Sequence, residues 1–509
     1  MAAGRRGELV SVLRQLGANS SIYAATNVFQ RGAAFLLMPL YTHYLEPSAF
    51  GVLAIVTAVN GVLSIIFTLG LTSAITRFYF EYQDDPRTLA QFWGTILVFV
   101  VLLSATLAGA LLWAGDVLLR PLIGDVPFWP YVALGVMATF FQPFFTTFLA
   151  VLQMRNQAGR YAVVSLANFA VTTVLTVALV VFLGWGVRGP LIATLVASGL
   201  FFFISLWMLR NNLQLCMHWR HLRSALGYSL PLVPHSISGQ VTAFSDRLVL
   251  NSYLGTTAVG LYSVGAMVAL VVEVAAQSIN RAYVPLTMAA LKRGQPADME
   301  HIRNAGTLMA ALFCMLGATI AAFGRELLWL MTSPAYAAAA NVIPLLVFAG
   351  VANAFYFLFV NILFYDRNAV RLIPVGTLSA AVASVVLSLL LVPRFGLMGA
   401  AVSAVLAQTI STVLIAAIAC RFDPVRWSYS RYALAFALSL GTALGLGWLE
   451  AGSFAANVAI KVAGLMSLAV MVGIVLWNQP LIFARAFIEL LQRRPGAAAA
   501  LFTDAKNRA

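Results

Sequence analysis

Charged side chains make up only 9% of the 509 residues, against roughly 25% in an ordinary soluble domain. With 61% of the chain hydrophobic, so few charges cannot cover a water-soluble surface, and a polytopic membrane protein is expected. Acidic residues are the scarcer kind, 17 against 31 basic ones, and lysine occurs only at 292, 461 and 506. The three cysteines, Cys216, Cys314 and Cys420, fall at span ends on the cytoplasmic side or inside a span, so no disulfide is expected. There is no Gly-rich phosphate loop, no metal-spaced His/Cys cluster and no nucleophile elbow. Those absences argue against an ATP-driven pump and against an enzyme, and no cofactor or metal is expected. The opening MAAGRRGELVSVLRQLG is polar and amphipathic, unlike a cleavable signal peptide, so the first span is expected to do the targeting.

What the chain does have is a series of long apolar runs. Fourteen stretches are candidate spans: 20–43, 50–74, 93–114, 128–151, 161–183, 188–208, 227–251, 258–282, 303–323, 338–364, 371–392, 397–418, 432–449 and 456–477. The expected fold class is therefore an all-α polytopic membrane protein of about fourteen helices. Of the 31 basic residues, 24 fall in loops on one side and four, Arg120, Arg188, Arg325 and Arg394, on the other. The remaining three, Arg31, Arg247 and Lys461, lie within spans. The positive-inside rule places both termini in the cytoplasm. The net charge of +14 is then topological, and no nucleic-acid partner is expected.

An internal repeat organises the chain, with a period of about 210 residues. Tyr44-Leu45, Ala49, Gly51 and Val59 recur as Tyr253-Leu254, Ala258, Gly260 and Val268. Ile75, Arg77 and Tyr79 recur as Ile279, Arg281 and Tyr283; Arg160 pairs with Arg371, and Gly186 and Gly189 with Gly396 and Gly399. Chance similarity between apolar helices would share Leu and Ala, but not Arg, Gly and Tyr in register. Each copy holds six spans, an even number, so both insert in the same orientation and a pseudo-twofold axis along the membrane normal relates them. The expected division is an N-lobe at 1–210, a C-lobe at 220–420, two further helices at 431–478 and a cytoplasmic tail at 479–509.

Polar groups inside the spans are the candidates for function. Arg31 sits near the middle of the run from Asn19 to Tyr44, where a charge costs about 2.5 kcal/mol or more and cannot reach the interface. It either lines a path for an anion or forms a structural ion pair. The seventh span carries Pro231, Pro234, His235, Gln240, Asp246 and Arg247, with Gln240 the repeat partner of Arg31. Helical spacing puts Gln240 and Arg247 on one face, so Arg31 and Arg247 can line one cavity from opposite lobes. Asp246 and Arg247 are also close enough to the outer end to be solvated interface charges. Glu273 either neutralises Arg31 or titrates as a proton or sodium site. Lys461 is expected to snorkel outward. Asn27, Gln30, Asn60, Gln142, Asn168, Asn353, Asn361 and Gln408 serve as cavity lining or as interhelical glue.

The pattern LPLVPHS, SDRLVLNSYLG and AVGLYSV, carrying Pro231, Pro234, Asp246, Arg247, Gly255, Gly260 and Tyr262, resembles the seventh-to-eighth helix signature of a known family. That family is the polysaccharide-transporter branch of the multidrug/oligosaccharidyl-lipid/polysaccharide exporter superfamily, which includes the O-antigen flippases. The paired LMPLYTHYLEPSAFGVLAI is similar to its N-terminal counterpart, and the resemblance covers about residues 15–420. It implies a two-lobed, fourteen-helix V that alternates between inward-open and outward-open states. The implied cargo is an oligosaccharide repeat unit on undecaprenyl diphosphate, moved to the outer leaflet of the bacterial inner membrane. Coupling to H+ or Na+ and contact with polysaccharide assembly proteins are implied as well.

On this reading Arg31, Arg247, Asn27 and Gln240 are candidates for the diphosphate and cavity lining, and Glu273, Asp246 and His235 for ion coupling. Two other readings remain within reach of the sequence. One is a drug or small-cation exporter of the same superfamily, disfavoured by the inward-facing arginines. The other is a membrane glycosyltransferase or polymerase, disfavoured by short outer loops with few acid/base groups; a non-transporting scaffold for envelope assembly is a further class.

Overall fold

The computed structural model describes residues 22–477 except 34, 211–212, 367–368, 423–424 and 450–452. The tail at 479–509 and the basic residues before 22 lie outside the described residues. Among the described residues all regular structure is helical. A bilayer dictates this, because backbone N–H and C=O groups must be satisfied within the segment that carries them. Residues 22–33 are helical and lead into α1 (Met38–Tyr44), α2 (Pro47–Thr68), α3 (Leu71–Tyr82), α4 (Pro86–Leu118), α5 (Arg120–Ile123), α6 (Ala133–Met154), α7 (Ala158–Val177) and α8 (Arg188–Leu209). After an irregular strap come α9 (Trp219–Ser229), α10 (Val233–Arg293), α11 (Pro296–Ala322), α12 (Gly324–Met331), α13 (Ile343–Leu363), α14 (Ile373–Cys420), α15 (Tyr429–Trp448) and α16 (Phe454–Trp477). Proline opens α2, α4 and α11, where its missing N–H costs nothing. Asp85 adds a cap to α4 by accepting from the backbone N–H groups of Arg87 and Thr88.

Among the described residues ten segments are long and apolar enough to cross a membrane. The outer surface fits that setting: Trp113, Phe182 and Trp329 are 91%, 80% and 81% exposed, a placement water would penalise and lipid welcomes. The fourteen expected spans do not appear one for one. The stretches 227–251 and 258–282 fall in one element and 371–392 and 397–418 in another, 432–449 is not among the ten, and 20–43 lies partly outside the described residues. The two long helices are hairpins. Arg247 reaches Ser263 and Asp246 reaches Tyr262, each sixteen residues away, which a straight helix would hold about 24 Å apart. The reversal is at Gly255, whose φ of 76° and ψ of −178° suit glycine. In α14 the break is at Gly396 (φ 57°), and Ser388 meets Ser403 at 2.9 Å.

Glycines that the repeat pairs do matching work. Gly186 and Gly396 both adopt positive φ, at 51° and 57°. Gly51 and Gly260, 209 residues apart, meet face to face where α2 packs on the second limb of α10. A Cβ on Gly51 would fall 1.8 Å from the Thr256 carbonyl oxygen, and one on Gly260 would fall 1.8 Å from the Pro47 carbonyl oxygen. Thr256 and Pro47 are themselves 209 apart, so the contact is reciprocal.

The two ends of the bundle differ. At the end poor in basic residues, here the far end, Asn251 donates to the Ile123 carbonyl at 2.7 Å and Tyr336 to the Leu45 carbonyl at 2.9 Å. Thr42 lies 3.3 Å from the Met331 carbonyl at the same end. These bonds join residues before 210 to residues after 230. The last two helices attach to the latter group: Tyr432 of α15 bonds Thr307 of α11 at 2.8 Å, and Lys461 of α16 pairs with Glu326 of α12. Lys461 does not snorkel. It is 2% exposed, because α12 folds over the end of the bundle and brings Glu326 to it, with the Phe323 ring 5.6 Å away.

Candidate functional site

A cavity of about 530 Å³ opens among the two limbs of α10, α13 and α14. Its polar lining comes chiefly from Thr242, Asp246, Arg247, Tyr262 and Glu273 of α10, Asn353 and Tyr356 of α13, and Thr377, Ser384, Gln408 and Ser411 of α14. The hairpin at Gly255 creates this arrangement by folding the polar SDR stretch back onto the LYS stretch.

Asp246 is 4% exposed and enclosed. Its Oδ2 accepts from the Tyr262 hydroxyl at 2.5 Å, and its Oδ1 from Ser388 at 2.8 Å and Ser384 at 3.5 Å. Ser384 in turn meets Ser245 at 2.7 Å, and Ser388 meets Ser403. The reading of Asp246 as a solvated interface charge is therefore corrected: three hydroxyl donors take the place of water around it. Arg247, the next residue, lines the same cavity with partners of its own. Its Nε donates to Ser263 at 3.1 Å and its Nη1 to the Ala243 carbonyl at 2.7 Å, with the rings of Phe244 and Tyr262 at 5.1 and 5.8 Å. Cation–π contact of this kind lowers the cost of holding a guanidinium away from water.

Arg31 does not line this cavity, nor do Asn27, Gln240 or His235. The guanidinium is exposed, and its Nη1 donates to Gln277 Oε1 at 3.0 Å. Gln277 Nε2 donates to Glu273 Oε1 at 2.8 Å, so Arg31 and Glu273 are linked through one amide rather than in direct contact. Among the described residues no direct ion pair joins them. Asn27 turns back to the Tyr23 carbonyl at 2.8 Å. Gln240 packs against Gly61, where a Cβ would lie 2.9 Å from its Oε1. Exposed His235 bonds Thr377 at 3.2 Å. Of the amides elsewhere, Gln408 donates to Asn353 at 3.0 Å at the cavity wall, and Asn361 bonds Asn280 while Gln30 bonds Ser165.

The sequence singled out Asp246, Arg247 and Glu273 separately, pairing Arg247 with Arg31 across one cavity and Glu273 with Arg31; the structure sets all three on one cavity wall, without Arg31. Sequence reasoning missed Gln277, Ser384, Ser388 and Tyr356. For Ser384 and Ser388 a signal was available, two hydroxyls one turn apart in an apolar run. A glutamine at 277, at the start of QSIN, carried none.

The profile of a family described as polysaccharide biosynthesis protein matches residues 16–291. "Lsg locus putative protein 1" of Haemophilus influenzae is 26% identical over 285 residues, and an "Uncharacterized membrane protein" of the same organism is 22% identical. Each match covers 54% of this chain and 66% of the relative's length. Among solved structures, "Lipid II flippase MurJ, inward closed conformation" superposes with a TM-score of 0.69 at 12% identity, covering 92% of this chain and 99% of that one. An inward-facing "multidrug resistance MATE family transporter of the MOP superfamily" gives 0.63 at 18% identity, covering 77% and 94%. Both likenesses concern the fold.

Proposed function

The chain belongs to the polysaccharide biosynthesis protein family, and from that premise we propose that it is a flippase for a polyprenyl-diphosphate-linked oligosaccharide. It carries the repeat unit of an O-antigen or exopolysaccharide from the cytoplasmic to the outer leaflet of the bacterial inner membrane by alternating access between two lobes, at 1–210 and 220–420. The observation that carries this reading is Arg31. It is an exposed guanidinium, the one charge in the run from Asn19 to Tyr44 apart from His43, with one hydrogen bond among the described residues and four N–H donors left for an anion. A planar fork of donors matches diphosphate oxygens. Arg247 supplies a second cation on the cavity wall, Gln240 and Asn27 lie toward the first helices, and a prenyl tail stays in lipid. Glu273, Asp246 and His235 are the candidates for coupling to H+ or Na+.

A second reading, export of a small cation, is favoured by the cavity's two carboxylates against one arginine. Against it stands the occupancy of those oxygens, since Asp246 already accepts three hydroxyls and Glu273 an amide. Transport assays in proteoliposomes separate the two. Arg31→Ala is expected to slow flipping of an undecaprenyl-diphosphate-linked oligosaccharide by on the order of ten- to a hundred-fold, the worth of a charge-assisted contact. Arg31→Lys should restore part of the rate. Unchanged flipping in Arg31→Ala, with cation export by the wild type, would replace the first reading by the second.

A further inference from the structure

The chain from Arg31 through Gln277 to Glu273 has a fixed sense. A guanidinium only donates and a carboxylate only accepts, so the bridging amide turns its oxygen to Arg31 and its NH2 to Glu273. Gln277 lies one turn beyond Glu273 on α10, which sets the amide before Arg31, 246 residues upstream, reaches it. A direct salt bridge would neutralise both charges. The amide holds them apart.

We propose that Gln277 is a positioning residue for the anion site, keeping Arg31 one amide away from Glu273 and transmitting the protonation state of that carboxylate to the guanidinium. The proposal rests on the reading of Arg31 as the diphosphate ligand. When Glu273 takes a proton from hydronium, leaving water, its new O–H donates to Gln277 Oε1. The amide turns, its NH2 faces the guanidinium donor to donor, and Arg31 is released toward the lipid diphosphate. Only hydrogen bonds rearrange, the Arg31 bond to Gln277 Oε1 and the Gln277 bond to Glu273 being given up for the new one, while no other covalent bond forms or breaks and the proton stays on Glu273. The titratable and charged groups on the surrounding walls are Asp246, Arg247 and Tyr262 of α10 and Tyr356 of α13. Asp246 is held by its own hydroxyls and Arg247 by Ser263 and Ala243, so the link between Glu273 and Arg31 runs through Gln277. Linkage is reciprocal: a proton on Glu273 tightens diphosphate binding, and bound diphosphate favours the proton.

The test is a double-mutant cycle on undecaprenyl diphosphate binding to the full chain in nanodiscs. Glu273→Gln, a stand-in for the protonated acid, is expected to tighten binding about ten-fold. In a Gln277→Leu background the same change should have no effect. An equal effect of Glu273→Gln in both backgrounds would show that the carboxylate acts directly through space and would overturn the proposal. Gln277→Glu keeps the site polar should the leucine variant fail to fold. By giving Arg31 its own counter-ion it should weaken binding about ten-fold, and an unchanged Kd there also overturns the proposal. Arg31→Ala binding as tightly as the wild type would instead remove the underlying reading, whatever the cycle shows.

Discussion

Single residues in this protein are judged by what surrounds them once water is gone. Lys461 shows the principle: its side chain is 3% exposed and its ammonium sits on Glu326, itself 22% exposed, with the second oxygen of Glu326 buried and without a partner among the described residues. Lys461→Met would strand that carboxylate, a cost of roughly 3–5 kcal/mol for a buried pair broken on one side. The expected outcome is a lower melting temperature of the purified protein, with recovery in the double variant Lys461→Met/Glu326→Gln. A double variant no more stable than the single one would mean that the pair contributes nothing. From the sequence alone Lys461 reads as a charge near a span end, free to reach the interface. That reading fails because the partner comes from α12, 135 residues away, and no local pattern announces it.

At the scale of elements, the sequence carried the fold further than the site. Apolar runs and proline starts mark most helices, and Gly186, Gly255 and Gly396 sit where the backbone needs positive φ. Arg31, Asp246, Arg247 and Glu273 stood out because a charge in an apolar run is conspicuous. Their contacts did not, since Tyr262 and Ser388 meet Asp246 only when the chain folds back over sixteen or more residues, and Gln277, one turn from Glu273, takes on meaning only when Arg31 arrives from 246 residues upstream. The count of spans blurred for the same reason, as α10 and α14 each double back within one stretch.

Close approach of elements gives the sharpest stability prediction. Gly51→Ala and Gly260→Ala should each destabilise by about 1–3 kcal/mol, because a methyl on either meets backbone that cannot yield. Gly109→Ala, where nothing lies within 4 Å, should be neutral or slightly stabilising. Thermal unfolding of the three variants checks this, and a harmless Gly51→Ala would mean that α2 and α10 separate at little cost.

For the whole molecule, the asymmetry of basic residues fixes an expected orientation that labelling can test. With the three native cysteines replaced, a cysteine at exposed Thr257 should react with an impermeant thiol reagent added outside the cell, and one at exposed Gln295 should not. The reverse pattern would turn the protein over in the membrane and invert the direction of the proposed flipping.

The reciprocal contact of Gly51 and Gly260 has a mechanical meaning. It is the point where two rods touch backbone to backbone, with no side chain between them to cushion a roll, so it is suited to act as a fulcrum. It is placed off-centre: α2 extends four residues, about 6 Å, from Gly51 to Pro47 but seventeen residues, about 25 Å, from Gly51 to Thr68. A rigid helix rocking there has lever arms in a ratio of about four. Breaking the Asn251 and Tyr336 bonds and parting the short arms by about 2 Å would swing the long arms by about 8 Å, so a movement the width of a hydrogen bond at one face would open a gap at the other wide enough for the sugar of the proposed cargo.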